Sequence, residues 1–219
     1  MVTAVIVAGG IGSRMGREIN KAYLPLAGKR VIEHTVNAFL KVKSIKKIVI
    51  VTRQEDTELC KSLFDDGKII ITTGGATRQE SVANGLRFAD TELAAIHDAA
   101  RALIEPEIIE KAVEECRKYG AAAVGVPCVD TLKQTDEHGF IIKTVDRTGI
   151  YRIQTPQIFR VEEIAKAHEQ ARQDCFDATD DCALYERYIG KVKITEGNGN
   201  NIKLTYPEDL AFAEAILKK

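Results

Sequence analysis

No apolar run in this chain approaches the roughly 18 residues that would cross a membrane. The apolar opening, Thr3-Ala4-Val5-Ile6-Val7, is short and β-branched, which suits a buried strand and not a signal peptide. An excess of one charge is also missing. The 31 Lys and Arg residues against 32 Asp and Glu leave a net charge of −1, too little to draw the chain to nucleic acid or a membrane surface. Cysteine is sparse and odd in number. Cys60, Cys116, Cys128, Cys175 and Cys182 include no Cys-x-x-Cys pair, which argues against a zinc site and for reduced, mostly buried thiols in a cytoplasmic protein. Internal repeats and low-complexity linkers are absent too, so the 219 residues are expected to form one domain, 1–219.

What is present begins just after that first strand. Ala8-Gly9-Gly10-Ile11-Gly12-Ser13-Arg14-Met15-Gly16 gathers four glycines, and Lys21 follows five residues on. Glycines let the backbone bend tightly and bring its N–H groups close to a ligand. Arg14 and Lys21 add fixed positive charge, so the loop suits a polyphosphate whose negative charge rises during reaction. Two familiar phosphate loops are excluded by spacing. No Gly-Lys-Ser/Thr follows four intervening residues, as a P-loop requires. The dinucleotide fingerprint fails because Met15 stands where its third glycine belongs, and its acidic residue at the end of the next strand is missing.

Beyond the loop, short apolar runs alternate with helical patterns. Strands are expected at Ala4–Val7, Lys47–Val51, Ile69–Thr72, Ala94–His97 and Ala121–Val126. Helices are expected at Val31–Lys41, Glu55–Leu63, Arg78–Phe88 and Pro106–Tyr119, the last with Ile108, Ile109, Ala112, Val113 and Cys116 on one face and Gly120 as a stop. Such alternation implies an α/β fold, a mostly parallel sheet with helices on both faces and ligands beyond the carboxyl ends of its strands. The pattern breaks after Pro127. Thr131–Thr135 and Phe140–Val145 read as a hairpin around Asp136-Glu137-His138-Gly139, and a lone hairpin is marginal in water, so it is expected to pack on a second subunit. Helices near Val161–Arg172 and Asp180–Tyr188, a strand at Val192–Thr195 and a helix from Pro207 close the chain.

Four more segments carry polar groups that a core does not need. In Gly74-Gly75-Ala76-Thr77-Arg78-Gln79-Glu80-Ser81, two glycines before a helix can set backbone amides and Ser81 around a planar base. The same segment also reads as a plain capping box, with Thr77 as cap and Glu80 three residues on. Asp98, in His97-Asp98-Ala99-Ala100-Arg101, can hold magnesium or bind substrate hydroxyls, with Arg101 fixing it as a bidentate partner, or the two can simply brace a loop. His97 reads as a hydrogen-bonded core residue. Arg147 with Thr155 can grip a phosphate, or form a surface ion pair and a proline turn at Gln154-Thr155-Pro156-Gln157. Thr179, before Asp180-Asp181, reads as a helix cap, and Lys203 in Asn201-Ile202-Lys203 can reach a second phosphate.

Taken together, Ala8–Lys21, Gly74–Val82, His97–Arg101, Pro127–Lys133, Thr144–Phe159, Thr179–Ala183 and Asn201–Leu210 resemble one family over nearly the whole chain: the 2-C-methyl-D-erythritol 4-phosphate cytidylyltransferases of non-mevalonate isoprenoid synthesis. The resemblance implies a Rossmann-like nucleotidyltransferase fold and a homodimer interlocked through a protruding β-arm at about 131–151. It implies CTP over the glycine loop and Mg²⁺ or another divalent cation as cofactor. Carried over by motif, Arg14, Lys21, Arg147 and Lys203 would be catalytic. Ala8, Gly9, Gly10, Gly12, Gly75, Ala76 and Ser81 would surround the nucleotide. Asp98, Arg101, Thr131, Arg147, Thr155, Thr179 and Lys203 would bind the polyol phosphate, with Asp98 nearest the metal. The chain departs from the family pattern at Asn20-Lys21-Ala22 (usually Pro-Lys-Gln), at Ala102 (often proline) and at Asp181-Cys182.

The chemistry so implied is transfer of CMP from CTP to 2-C-methyl-D-erythritol 4-phosphate by direct attack of one phosphate on another, through positioning and charge stabilisation. A ribitol 5-phosphate cytidylyltransferase is the nearest alternative, sharing the glycine loop. A nucleotide-sugar glycosyltransferase is disfavoured because the chain has no Asp-x-Asp. A non-catalytic nucleotide-binding module would bind CTP without releasing pyrophosphate.

Overall fold

The computed structural model of the chain describes residues 1–10 and 20–218. Seven strands form its main sheet: β1 (Val2–Val7), β4 (Ile45–Thr52), β5 (Ile69–Thr73), β6 (Leu93–Asp98), β7 (Ala121–Pro127), β10 (Tyr151–Arg160) and β11 (Lys193–Glu196). Across the sheet they lie in the order β11-β7-β10-β6-β1-β4-β5. β10 runs antiparallel to both its neighbours, whereas every other pairing in this sheet is parallel.

The central strands are apolar on both faces because helices cover both. In β1, Val2, Ala4 and Ile6 join a cluster with Ile32, Val36 and Phe39 of α1 (Val31–Leu40) and with Ile109 and Val113 of α4 (Pro106–Tyr119). Val5, the intervening residue, faces the other way. There it packs with Val82 and Leu86 of α3 (Arg78–Leu86) and Ile164 and Ala167 of α5 (Val161–Gln173). This period of two is what a strand requires when both faces are buried. Each fully buried Ile, Leu or Phe contributes about 1.5–3 kcal/mol, so the two clusters clamp the sheet between its helical layers. A third cluster, Leu24, Leu26, Ala100, Leu103, Leu204 and Ala213, ties the short hairpin β2 (Pro25–Leu26) and β3 (Lys29–Arg30) to the C-terminal helix α7 (Pro207–Leu217).

Most expected elements form within a residue or two of their expected limits, and α4 spans Pro106–Tyr119 as expected. Glu55–Leu63 divides into a 3₁₀ turn, Gln54–Asp56, and α2, Thr57–Leu63. One of the readings left open for Gln154-Thr155-Pro156-Gln157 is set aside. Gln154–Gln157 is no proline turn but the middle of β10, a ten-residue strand that fills the gap between β6 and β7. Its ladder to β7 breaks between Ile153 and Gln157, which is where Pro156, lacking an N–H, has no hydrogen bond to give.

β8 (Leu132–Thr135) and β9 (Ile141–Val145) form a separate two-stranded sheet. Asp136 closes its turn by accepting from the His138 and Phe140 N–H groups. Phe140, Ile141 and Ile142 are 72%, 63% and 60% exposed. Such a contiguous apolar face is unusual on a lone soluble subunit.

The end of β6 is bolted to β10 by one chain of hydrogen bonds. The Asp98 N–H donates to Thr155 Oγ1 (3.1 Å), and Thr155 Oγ1 lies 3.0 Å from His97 Nδ1. His97 Nε2 lies 3.3 Å from the Arg101 carbonyl, which can only accept. The network therefore assigns the proton to Nε2 and makes Nδ1 the acceptor of the Thr155 hydroxyl, so the imidazole is neutral. Burial against Phe39 agrees, pushing the His97 pKa down to about 3. His97 is thus the core residue expected of it.

Two stability measurements follow from this packing. A Cβ on Gly85 would lie 2.5 Å from Val5 Cγ1 and 2.7 Å from Val51 Cγ2, so α3 touches the sheet there. Gly85→Ala is expected to destabilise the fold by about 1–3 kcal/mol, despite the better helix propensity of alanine, read as a lower urea midpoint at unchanged slope. His97, uncharged in the fold and basic when unfolded, makes the unfolded chain bind the extra proton between its ordinary pKa near 6.5 and about 3. Stability should therefore fall as pH drops through that window, by up to about 1.4 kcal/mol per pH unit from this group. Gln in its place should flatten the acid limb of a stability–pH curve; an unchanged limb would contradict a neutral His97.

Candidate active site

The carboxyl ends of β1, β4, β5 and β6 are stitched together side by side. The Ala8 N–H donates to the Val51 carbonyl, Gly74 N–H to that of Thr52, and Ala99 N–H to that of Val7. Above them opens a cleft of about 540 Å³, lined by the small residues Ala8, Gly9, Gly10, Gly75 and Ala76 and by the charged Lys21, Arg78, Asp98 and Lys203. A second groove of about 490 Å³, between α3 and α5, includes none of Lys21, Asp98 and Lys203.

Asp98 is the electrostatic centre. Lys203 Nζ lies 2.6 Å from its Oδ2 and Arg78 Nε 3.2 Å from its Oδ1. Burial alone would raise the pKa of this carboxyl, but the charges of Arg78 and Lys203 outweigh it and hold the group well below the usual carboxylate range. Arg78 is shared. Its Nη1 lies 2.8 Å from Oδ2 of Asp181, a fully buried carboxylate whose Oδ1 accepts from His168 Nε2 at 3.1 Å. Arg78 and then His168 hold Asp181 ionised against the same burial cost. Lys203 is carried to this point by anchors on either side: Asn201 donates to Gln154 Oε1 and the Thr155 carbonyl, and Leu204 N–H donates to the Ala100 carbonyl.

The glycine pair before α3 is shaped by close approach. A side chain on Gly74 would collide with Ser81, and one on Gly75 with Glu80. Thr77 caps the helix by accepting from the Glu80 N–H, as expected. Ser81 Oγ accepts from the Gly75 N–H at 3.1 Å, and Glu80 accepts from the Ala76 N–H at 2.7 Å. Only the Thr77 half of the expected capping box forms, because the Glu80 carboxylate reaches past the Thr77 N–H to that of Ala76 and so braces the binding wall. Elsewhere in the lining, Asn20 is buried and caps the 3₁₀ turn Lys21–Tyr23 by accepting from the Ala22 N–H at 3.1 Å. Its amide also donates to the Ala8 carbonyl and to Asp56. The departure from the family pattern at Asn20 therefore comes with its own bracing for Lys21.

Of the residues singled out from sequence, Ala8, Gly9, Gly10, Lys21, Gly75, Ala76, Ser81, Asp98 and Lys203 line the cleft together. Gly12 and Arg14 lie outside the described residues. Arg101 does not pair with Asp98; its guanidinium turns to the carbonyls of Asn201 (2.8 Å) and Ile153 (3.5 Å), because the turn after β6 carries it away. Thr155 is buried with its hydroxyl committed to Asp98 and His97, so it shapes the cleft from beneath and is not on its surface. Thr179 is exposed, and Asp180, not Thr179, caps α6 (Asp181–Tyr188) by accepting from the Ala183 N–H. Thr131 and Arg147 are exposed at the arm and away from the cleft of their own chain, Arg147 donating to the Val129 carbonyl.

Arg78 went unassigned in the sequence, although a signal exists. A cation in the first turn of a helix opposes the helix dipole, which favours acids there; it needs carboxylates nearby, and Asp98 and Asp181 supply them. Asp181, His168 and Arg53 carry no such mark.

The family model described as 2-C-methyl-D-erythritol 4-phosphate cytidylyltransferase matches residues 2–219. A protein of that name from Caldanaerobacter subterraneus subsp. tengcongensis is 46% identical over 225 residues, covering 100% of this chain and 99% of the relative. A chloroplastic one from Oryza sativa subsp. japonica is 36% identical, covering 100% of this chain and 75% of its own length. Among solved structures, 4-diphosphocytidyl-2C-methyl-D-erythritol synthase from Anaerococcus prevotii superposes with a TM-score of 0.90 at 32% identity, covering 100% of this chain and 96% of that one. The 2-C-methyl-D-erythritol 4-phosphate cytidylyltransferase from Thermus thermophilus gives 0.83 at 28% identity, covering 100% of both chains. With its glycine-walled cleft and ionised Asp98 in the setting that the sequence motifs anticipate, the chain belongs to the 2-C-methyl-D-erythritol 4-phosphate cytidylyltransferase family.

Proposed function

We propose that this chain transfers CMP from CTP to 2-C-methyl-D-erythritol 4-phosphate, giving 4-diphosphocytidyl-2-C-methyl-D-erythritol and pyrophosphate. The observation that carries the reading is the convergence of Lys21, Asp98 and Lys203 on one cleft floored by Ala8-Gly9-Gly10. A phosphate oxygen of the methylerythritol phosphate attacks the α-phosphorus of CTP, the bond from that phosphorus to the bridging oxygen breaks, and pyrophosphate leaves in line. The nucleophile is already an anion, so no base or covalent enzyme intermediate is required. Lys21 and Lys203 stabilise the charge that builds on the phosphoryl oxygens, and the walls at Gly9, Gly75 and Ser81 hold the nucleotide. The family match favours methylerythritol phosphate over ribitol 5-phosphate as acceptor.

Mg²⁺ fits this site as a partner of the triphosphate. Asp98 is ionised and lines the cleft, and Mg²⁺ commonly takes one or two carboxylates together with substrate phosphates. Among the described residues no group of three or more His, Cys, Asp or Glu forms a cage of its own. When bound, the ion would offset repulsion between the two anionic substrates. A cytoplasmic setting accords with five free cysteines, four of them buried.

We further propose that two chains pair through the arm, covering Phe140, Ile141 and Ile142 and bringing Thr131 and Arg147 to the partner's cleft, where Arg147 would contact the polyol phosphate.

Three experiments test these readings. Purified protein with CTP and Mg²⁺ should release pyrophosphate with methylerythritol phosphate much faster than with ribitol 5-phosphate, and chelation should abolish release reversibly. In that assay Lys21→Ala and Lys203→Ala should each lower kcat by about a hundredfold or more; turnover unchanged in both would remove the proposed charge stabilisation. For the arm, Ile142→Glu should shift the sedimenting species from dimer to monomer. Mixing Arg147→Ala subunits with Lys203→Ala subunits should recover activity that neither variant shows alone, since one cleft of the mixed pair is intact only when Arg147 acts across the interface.

A further inference from the structure

One cation in the cleft neither takes part in the mechanism above nor pairs with Asp98. Arg53, just past the end of β4, lines the main cleft beside Gly9, Gly75 and Ser81. It also lines a side cavity of about 190 Å³ bounded by Gly9, Thr52, Gln54, Glu55, the Gly74-Gly75 pair and Ser81. Apart from Gln54 and Glu55, that end of the site is walled by glycines, Thr52 and Ser81, and Arg53 is its one cation among the described residues. Lys21, Lys203 and the Asp98–Arg78 pair line the main cleft but not this side cavity.

The guanidinium is held in place. Its Nε lies 2.7 Å from Asp56 Oδ2 and its Nη1 3.2 Å from Glu55 Oε1, with the side chain 19% exposed. Asp56 is itself fixed by the Asn20 amide at 3.0 Å, and Asn20 is buried and bonded to Ala8 and Ala22. A bracket of three side chains thus spans the glycine-loop strand, the Lys21 turn and Arg53. Guanidinium has five N–H donors in a planar fork, and the two carboxylates leave some of them for a further partner. A cation fixed this way loses little conformational freedom when it binds.

We infer that Arg53 is a base-reading residue, donating from its fork to the acceptor edge of the pyrimidine held between Gly9 and the Gly74–Ser81 wall. The inference rests on the proposed CTP reading. Guanidinium can only donate. Cytosine offers acceptors at both O2 and N3, whereas uracil carries a hydrogen on N3 and repels a donor there. Arg53 therefore selects cytosine over uracil, a task that backbone amides pinned by Glu80 and Ser81 do not perform alone. A site built to hydrogen-bond one ring rejects the ring lacking the matching atom, because its own buried donor is then left unpaired.

The test uses the full chain, with pyrophosphate release measured from CTP and from UTP. Turnover of CTP by the unaltered protein tests the parent reading; the variants test this inference. Arg53→Gln should lower kcat/KM for CTP about tenfold or more while leaving that for UTP nearly unchanged, so the CTP-to-UTP ratio collapses. Most of the loss should lie in KM, with kcat at saturation little altered. Arg53→Lys keeps the charge without the fork and should not restore the ratio. It also serves as the folding control, its ratio deciding the matter if Arg53→Gln fails to fold. Inhibition by pyrophosphate alone should be unaffected in both variants. An unaltered CTP-to-UTP ratio would overturn the inference. So would equal weakening of pyrophosphate and CTP, which would make Arg53 a phosphate contact.

Discussion

A carboxylate kept ionised at the end of the central sheet organises this protein. Asp98 sits where a lone acid would be neutralised by burial, and it keeps its charge only because Arg78 and Lys203 face it from two other elements. Arg78 starts α3, and Lys203 lies on the segment before α7, so the ion cluster fixes three separate parts of the chain at one point. Asp181 and His168 extend it to α5 and α6. Buried ion clusters of this kind add little net stability compared with a well-packed apolar core, and losing one partner is severe. Their value lies in arrangement. Arg78 and Lys203 are held apart and aimed by the carboxylate they share, which is the arrangement that the proposed polyphosphate chemistry would call for. In the proposed reaction an anion reaching Lys203 would compete with Asp98 for it, and the carboxylate would then be available to a divalent cation brought in with the phosphates.

The antiparallel strand β10 makes that geometry possible. A sheet of parallel strands alone would place β7 directly beside β6. Inserting β10 puts Thr155 under the backbone of Asp98 and gives Asn201 two acceptors, Gln154 Oε1 and the Thr155 carbonyl, on which the Lys203 segment is hung. The same insertion produces the arm. β7 and β10 pair as far as Pro127 and Tyr151, and the chain between them has nowhere to go but outward, as β8 and β9.

Much of this was legible in the sequence, for physical reasons that also explain what was not. Strands buried on both faces announce themselves as short apolar runs, and α4 as an apolar stripe opened by Pro106 and closed by Gly120. β10 was hidden because Pro156 argues against a central strand; only the interrupted ladder between Ile153 and Gln157 accommodates it. The glycine loop, Asp98 and Lys203 were readable because small residues and charges stand out where a core needs neither. The pairing of Asp98 with Arg101 was misread because nearness in sequence suggested a contact that the turn after β6 prevents; the true partners, Arg78 and Lys203, are 20 and 105 residues away along the chain. No local pattern encodes a contact of that span.

The arm raises the remaining question of completeness. A two-stranded hairpin gains too little from its own ladder to stay ordered in water, and this one exposes Phe140, Ile141 and Ile142 on the outside. Yet Thr131 and Arg147, at the arm, are not among the residues that line their own cleft. Both facts have one solution in the proposed pairing of two chains. Covering these apolar residues would supply the stability the hairpin lacks, and the same contact would deliver a further guanidinium to the cleft. Assembly and chemistry would then depend on the same few side chains, so a chain that fails to pair would lose part of its active site along with its partner.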